Sequence, residues 1–245
     1  MVQHLLRRLG YLLTCYGLVA SSAYAQEGRG HAIEDLTGRW TISVGFGEIP
    51  FLSGSFKPSV SLGYHINNYL FLGYTVQLRD VLERGTASFN ALDTGLGGVQ
   101  RTREETGVRS LLAVRMRPHR NSPFISLGLL FNGSDREVMH FDGRKRVIGD
   151  HTYQGDLVLE QTRPWAIRPA VGLGYSHTFN TGLSLGIEMA GAFFLPAPEP
   201  VTHLIGDPEL TNSDATALKQ RISSAFKNNF HNRYHLFQMT AGYAW

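Results

Sequence analysis

From residue 38 onward, apolar and polar positions alternate with a period of two. Trp40, Ile42, Val44 and Phe46 alternate with Thr41, Ser43 and Gly45. Leu70, Leu72, Tyr74, Val76 and Leu78 alternate with Phe71, Gly73, Thr75, Gln77 and Arg79. The same spacing runs through Trp165, Ile167, Pro169, Val171, Leu173 and Tyr175, and again through Leu183, Leu185, Ile187 and Met189. Successive side chains of a strand point to opposite faces, so each stretch gathers its apolar groups on one face. The pattern predicts eight strands, at roughly 38–46, 56–66, 69–79, 107–117, 123–133, 163–179, 183–194 and 232–245. Most are near the ~9–11 residues that a tilted strand needs to cross a bilayer.

The connections alternate in length. Asn67-Asn68, Pro118 to Ser122 and Asn180-Thr181-Gly182 are turn-like links. Between them lie long polar loops at 80–106, 134–162 and 195–231. Short turns at one end and long loops at the other are the plan of a membrane barrel. Alternation by itself does not say which solvent bathes the apolar row. In water that row points into a core; in lipid it points outward and the other row lines a narrow lumen. The proposed inner row is rich in Gly, Ser, Thr and Ala, with Arg79, Arg115, Arg117, Arg168 and Glu188 as a charge network able to pair and plug the lumen. On the lipid face at mid-depth, each Arg would cost about 2–4 kcal/mol. Tyr175, Phe179, Tyr243 and Trp245 near one edge, and Phe46, Phe131, Trp165 and Phe193 near the other, are candidates for two aromatic girdles.

Residues 1–25 break the pattern. Arg7 and Arg8, an apolar stretch from Leu12 to Ala20, and Ala23-Tyr24-Ala25 are the parts of a secretory signal peptide, with cleavage expected before Gln26. Residues 26–37 form a short N-terminal extension and 38–245 the barrel. The segment holds two of the 23 basic residues and none of the 20 acidic ones, so its removal lowers the net charge from +3 to +1. A nucleic-acid partner then has no basic motif behind it. The single cysteine, Cys15, goes with the signal. The content of 27 Gly and 11% aromatics with only 18% charge argues against a disordered chain or a coiled coil.

Phe237, Met239, Ala241, Tyr243 and Trp245 alternate to a terminal aromatic. This ending resembles the C-terminal assembly signal of bacterial outer-membrane barrels. With the signal peptide and the loop asymmetry, residues 38–245 resemble small eight-stranded Gram-negative outer-membrane proteins of the OmpA-barrel, OmpX and OmpW type. The resemblance implies an all-β, antiparallel, up-and-down transmembrane barrel with short periplasmic turns and long extracellular loops. It also implies insertion by the barrel-assembly machinery and contact with outer-membrane lipid and lipopolysaccharide. It fixes no activity. The structural rival is a soluble barrel of lipocalin type, to which Gly38-Arg39-Trp40 offers a three-residue likeness.

The loops hold further candidates. Asp142-Gly143, between Val138–Phe141 and Arg144–Ile148, reads as a hairpin turn that extends two strands above the membrane or displays a β edge to a partner. Residues 210–226 read as a helix capped by Asn212, Ser213 or Asp214, with Leu218, Ile222 and Phe226 on one face and Lys219, Arg221 and Lys227 alongside. Such a helix either closes the barrel mouth or rests on lipopolysaccharide headgroups. His231 and His235 would lie about 13 Å apart on a strand, too far to share a metal. His140 and His151, near Asp142 and Asp150, have no recognised ligand spacing. No cofactor or metal is expected. Lipid A modification is the enzymatic alternative: no His is followed two positions on by Ser, His177 and Ser176 would face opposite ways, and His203, Asp207 and Ser213 are loop residues that a triad would have to gather. The first expectation is a non-enzymatic barrel with a structural or surface-binding role. A narrow channel for small or apolar solutes, a lipid A-modifying enzyme and a lipocalin-like ligand binder are the alternatives.

Overall fold

The computed structural model describes residues 35–47, 56–85, 88–194, 199–207, 209–228 and 235–245. The expected signal peptide with Cys15, most of the 26–37 extension, and His231 lie outside the described residues. In chain order the strands are β1 (Trp40–Gly47), β2 (Lys57–His65), β3 (Leu70–Gln77), β4 (Asp80–Arg84), β5 (Val99–Thr106), β6 (Arg109–Met116) and β7 (Pro123–Asn132). There follow β8 (Asp135–Phe141), β9 (Lys145–Ile148), β10 (His151–Arg163), β11 (Ala166–Thr178), β12 (Leu183–Ala192), β13 (Glu199–Asp207) and β14 (His235–Ala244). Two helices, α1 (Phe89–Asp93) and α2 (Asn212–Asn228), lie between β4 and β5 and between β13 and β14.

Eight of the strands close into an antiparallel barrel in the order β1-β14-β12-β11-β7-β6-β3-β2. They are the eight that the alternation predicts. The seam between first and last strands runs from Thr41 opposite Ala244 to Phe46 opposite Met239. It is finished by reciprocal backbone bonds, Trp40 N–H to Trp245 O at 3.2 Å and Trp245 N–H to Trp40 O at 3.0 Å. Closure leaves no open sheet edge, which a wall facing hydrocarbon requires.

The apolar row faces out. Leu62, Leu72, Leu112, Leu127, Leu173 and Ile187 are 42–66% exposed, whereas the inward Ser61, Thr75, Ser126 and Gln238 are buried. A soluble barrel would need the reverse, so the lipocalin-type reading fails here; Trp40 of its G-x-W likeness stands outside, packed against Tyr64 at 5.1 Å. At the turn end the outward aromatics are Trp40, Tyr64, Tyr69, Tyr175, Phe179 and Trp245. Tyr243 shares their row but is covered where its ring lies over Gly182. At the opposite end Phe131 packs against Trp165 at 6.3 Å, Phe46 stacks on Phe56 at 5.7 Å, and Phe193 is half-exposed.

The long loops are not irregular. Parts of all three fold into a second, six-stranded antiparallel sheet in the order β13-β10-β8-β5-β4, with β9 also on β10. This sheet, with both helices, forms a cap over the end of the barrel remote from the short turns. Met139, Phe141, Leu157 and Leu159 on one sheet face bury against Leu218 and Ile222 of α2, with Ala91, Leu96, Ile148 and Tyr153 completing the core. The helix therefore turns Leu218 and Ile222 of its apolar stripe against the sheet. The side chain of Phe226 is outside the described ones.

Three local expectations change. The stretch read as one strand at 163–179 is interrupted: Pro164 separates β10 of the cap from β11 of the barrel. The hairpin turn is Gly149-Asp150 rather than Asp142-Gly143, because β8 and β9 both pair with β10 and Ile148 stands opposite His151. Gly149 takes φ 60°, the left-handed first position of a two-residue turn, while Asp142-Gly143-Arg144 merely interrupts one edge. The helix cap is Thr211, one residue earlier than the expected cap: its Oγ1 accepts from Asp214 N–H at 3.2 Å and donates to the Asp214 carboxylate at 2.9 Å.

The outward orientation makes a direct prediction. Leu127 lies at mid-strand on the exposed row, so Leu127→Arg should lower unfolding free energy in lipid vesicles by about 2–4 kcal/mol, read from urea titrations of tryptophan emission. An unchanged midpoint would contradict a lipid-facing Leu127.

Candidate functional site

The lumen is built in layers. Nearest the short turns, Arg117 and His65 project inward with Thr41, Ser176 and Thr178. Arg117 donates from Nε to Asn68 O at 3.1 Å, from Nη1 to Arg120 O at 2.6 Å and Ser176 Oγ at 3.1 Å, and from Nη2 to His65 Nδ1 at 3.2 Å. That last bond makes Nδ1 an acceptor, so the ring proton sits on Nε2, which donates to Thr41 Oγ1 at 3.0 Å.

One layer up, Arg115 meets Glu188 in a forked pair, Nε to Oε1 at 3.2 Å and Nη2 to Oε2 at 2.6 Å. Gln238 Nε2 donates to the same Oε2 at 2.8 Å, and Ser61 and Thr75 link their hydroxyls at 2.8 Å beside it. Both ions are largely buried, the condition under which a lost partner is most costly. The guanidinium lies between the rings of Phe71 and Phe124, at 5.0 and 5.6 Å from their centroids. Each ring rests on a glycine. A Cβ on Gly63 would stand 1.9 Å from Phe71 Cζ, and one on Gly174 would stand 2.2 Å from Phe124 Cζ. These glycines are the space the rings need.

Above the pair the lumen turns apolar. Leu111, Leu130 and Leu236, with Ala113, Ala166, Ala170 and Ala190, form a dry plug, its leucines 0–2% exposed. The charges alone do not fill the barrel: this cluster occupies one side of the lumen, and the buried Lys57, Ser59 and Gln77 occupy the other, with Gln77 Nε2 donating to Phe237 O at 2.9 Å. At the rim beyond it, Arg109 donates to Asn132 Oδ1 at 2.7 Å and His235 O at 2.7 Å, and Asp135 accepts from Gly107 N–H at 2.9 Å. These bonds tie rim to cap.

Of the five charges expected to line the lumen, Arg115 and Glu188 come together and Arg117 lies one layer below. Arg79 does not join them: it is exposed in the β3–β4 connection, just past the strand end. Arg168 has the inward parity of Ala166 and Ala170, but its buried Nε has no hydrogen-bond partner and it pairs with none of the others. Sequence reasoning missed Phe71, Phe124, Gln238 and the leucine plug. The signal for the rings was present, since both aromatics fall on the small-residue row of their strands. The plug was also marked, where Leu111 to Val114 and Leu129 to Phe131 are apolar on both rows.

In the cap, Asp214 is the organising group. Its carboxylate accepts from the Tyr153 hydroxyl, from Thr211 Oγ1, and from His151 Nδ1 at 2.8 Å, and Asp150 N–H reaches it at 3.4 Å. Tyr153 Oη also accepts from Thr211 N–H at 3.3 Å, so β10 holds the first turn of α2. The Tyr153 bond first, then Thr211 and His151, hold the Asp214 carboxyl down at about 2. The outer sheet face is solvated and laced with cross-strand pairs, Arg103–Glu83 at 3.0 Å and Arg136–Glu160 at 2.6 Å. Exposed Val201, His203 and Ile205 lie along the edge strand β13. His203 and Asp207 are four residues apart on that strand, about 13 Å by strand rise, and Ser213 bonds to Thr211 Oγ1 at 3.0 Å on α2; the structure does not gather the three. His140 sits on β8 beside Arg101, at 3.4 Å, with its pKa lowered by burial and by that charge. Among the described residues, no group of three or more His, Cys, Asp or Glu side chains is placed to hold a metal ion.

No protein-family model matches the chain, and no curated protein does. Solved structures do match. The chain is similar to CarO2 of Acinetobacter baumannii, with TM-score 0.53 at 11% identity over 86% of this chain and 100% of that one. It is also similar to CarO of the same organism, with TM-score 0.50 at 11% identity over 85% of this chain and 98% of that one. The fold is that of the small eight-stranded outer-membrane barrels.

Two outcomes follow from these contacts. Glu188→Ala should destabilise the barrel by about 3–5 kcal/mol, because it strands a buried guanidinium, and Arg115→Met with Glu188→Leu should recover most of that loss in the same urea titration. For Asp214, a folded pKa below the ordinary 3.8 means that its contribution is complete above 3.8 and is lost as pH falls through about 2. The 13Cα secondary shifts of α2 should therefore persist from neutral pH to about 4 and collapse toward pH 2. In Asp214→Asn the helix should already be frayed at neutral pH.

Proposed function

We propose that the protein is an integral outer-membrane barrel that serves as a sealed, rigid pedestal for a folded surface cap, and that the cap is its interaction surface. The observation that carries this reading is the dry plug of Leu111, Leu130 and Leu236 beneath a cap with a core of its own. An eight-stranded lumen filled by side chains, here the leucine cluster with the buried Ser59 and Gln77 beside it, offers ions no open hydrated path. A long connection that buries Met139, Phe141, Leu157 and Leu159 presents a fixed surface to a partner in place of a mobile loop. The signal peptide and the terminal aromatic strand support export and handling by the barrel-assembly machinery, and the cap end would meet lipopolysaccharide. The reading assigns no catalysis.

Planar-bilayer recording of the refolded protein is the test. The expected record is a flat baseline with no discrete steps at either polarity. Steady unitary conductance steps would favour the narrow-channel alternative and overturn the sealed pedestal.

A further inference from the structure

Between the Arg115–Glu188 pair and the short turns, the lumen holds a cavity of about 70 Å³. The ion pair is its ceiling. Ser43, Ser61 and Thr240 line the middle, and Thr41, Ser176 and Ser184 line the turn end, where they are half-exposed. Arg117 stands in the wall at 7% exposure. Its four hydrogen bonds go to Asn68 O, Arg120 O, Ser176 Oγ and His65 Nδ1, all of them neutral. Glu188 is the only carboxylate among the cavity's lining residues, and it is taken by Arg115 and Gln238. Asp35, at the same end of the barrel, is exposed and accepts from Thr37 N–H at 2.8 Å. No described carboxylate pairs with Arg117.

A buried cation without a counter-ion is costly, and hydrogen bonds to neutral acceptors solvate it without neutralising it. We propose that this half of the lumen is an anion vestibule, in which Arg117 and the surrounding hydroxyls hold a small oxyanion, a carboxylate or a phosphate, that enters from the turn end. The chemistry fits on three counts. The guanidinium supplies its charge and the one Nη2 hydrogen that its four bonds leave over, for a charge-assisted bond. The seryl and threonyl hydroxyls rotate to donate. The low-dielectric wall strengthens attraction for one sign of charge. The size fits as well, since the space takes a few waters or a compact anion and nothing larger. The Arg115–Glu188 pair bounds the vestibule on the side away from the turns. The inference goes beyond the role of the cap and is independent of it.

The probe is inorganic phosphate, titrated into the 15N-labelled, refolded protein in detergent micelles against sodium chloride of equal ionic strength. Saturable shifts are expected at the amides of His65, Arg117 and Ser176, without matching shifts in the cap. Arg117→Gln, which keeps an amide donor and loses the charge, should weaken binding at least about tenfold. Shifts that follow ionic strength alone, shifts centred on Arg103 and Arg136 of the cap, or equal affinity in Arg117→Gln would each overturn the proposal. Should that variant lack the heat-modifiable folded band on a gel, the position and saturation of the wild-type shifts decide the matter alone.

Discussion

A peptide group facing hydrocarbon finds no water to bond, so every backbone donor and acceptor of a membrane wall needs a partner within the wall. In this chain that demand is met by the seam between β1 and β14, where Trp40 and Trp245 exchange backbone bonds. The rest of the architecture follows from this closure. Once first and last strands are joined, one row of each strand must face out and carry the leucines, and the other must fit inside a ring of eight. The small residues at Gly63, Gly174, Ser61 and Thr75 answer the second requirement, as the exposed Leu127 and Leu173 answer the first.

Confinement then sorts the interior. Eight strands enclose a space that side chains fill, and the way they fill it differs from level to level. A buried Arg115 is tolerable because Glu188 forks onto it and two rings sandwich it. The same level would be unfavourable for either ion alone. Above it, Leu111, Leu130 and Leu236 fill one side of the lumen and the buried Lys57, Ser59 and Gln77 fill the other. The lumen therefore changes character along its axis, from a polar recess at the turn end to a tightly filled section nearer the cap.

The cap is an extension of the wall more than an addition to it. Strand β8 follows β7 after two residues, and β10 leads into β11 across Pro164. The barrel strands thus deliver the cap strands already antiparallel and close together, which lowers the entropy cost of forming the second sheet. What remained was to cover one face, and α2 does so, pinned at its start by Tyr153 and Asp214. The exposed ion pairs on the other face contribute little to stability, which leaves that face available for contact with the outside.

The sequence by itself determined the eight wall strands and the charges on their inner row through the period of two, the short and long connections through turn residues, and a helix at 210–226 through apolar residues recurring every four positions. Each is a local property: side-chain direction in a strand, turn chemistry, helical spacing. Pairing between distant segments was not legible. Nothing local says that β10 joins β13 and β8, so the long loops read as polar connections although Met139, Phe141, Leu157 and Leu159 were in plain view. Nor does alternation distinguish Arg115, which meets Glu188, from Arg79, which ends up past the strand terminus, because position along the barrel axis depends on register across the whole ring. The direction of the apolar row, the identity of the leucine cluster and the separation of Arg117 from every described carboxylate were decided by tertiary structure alone. They depend on which side chains closure brings within reach of one another, and the order of residues along the chain does not contain that information.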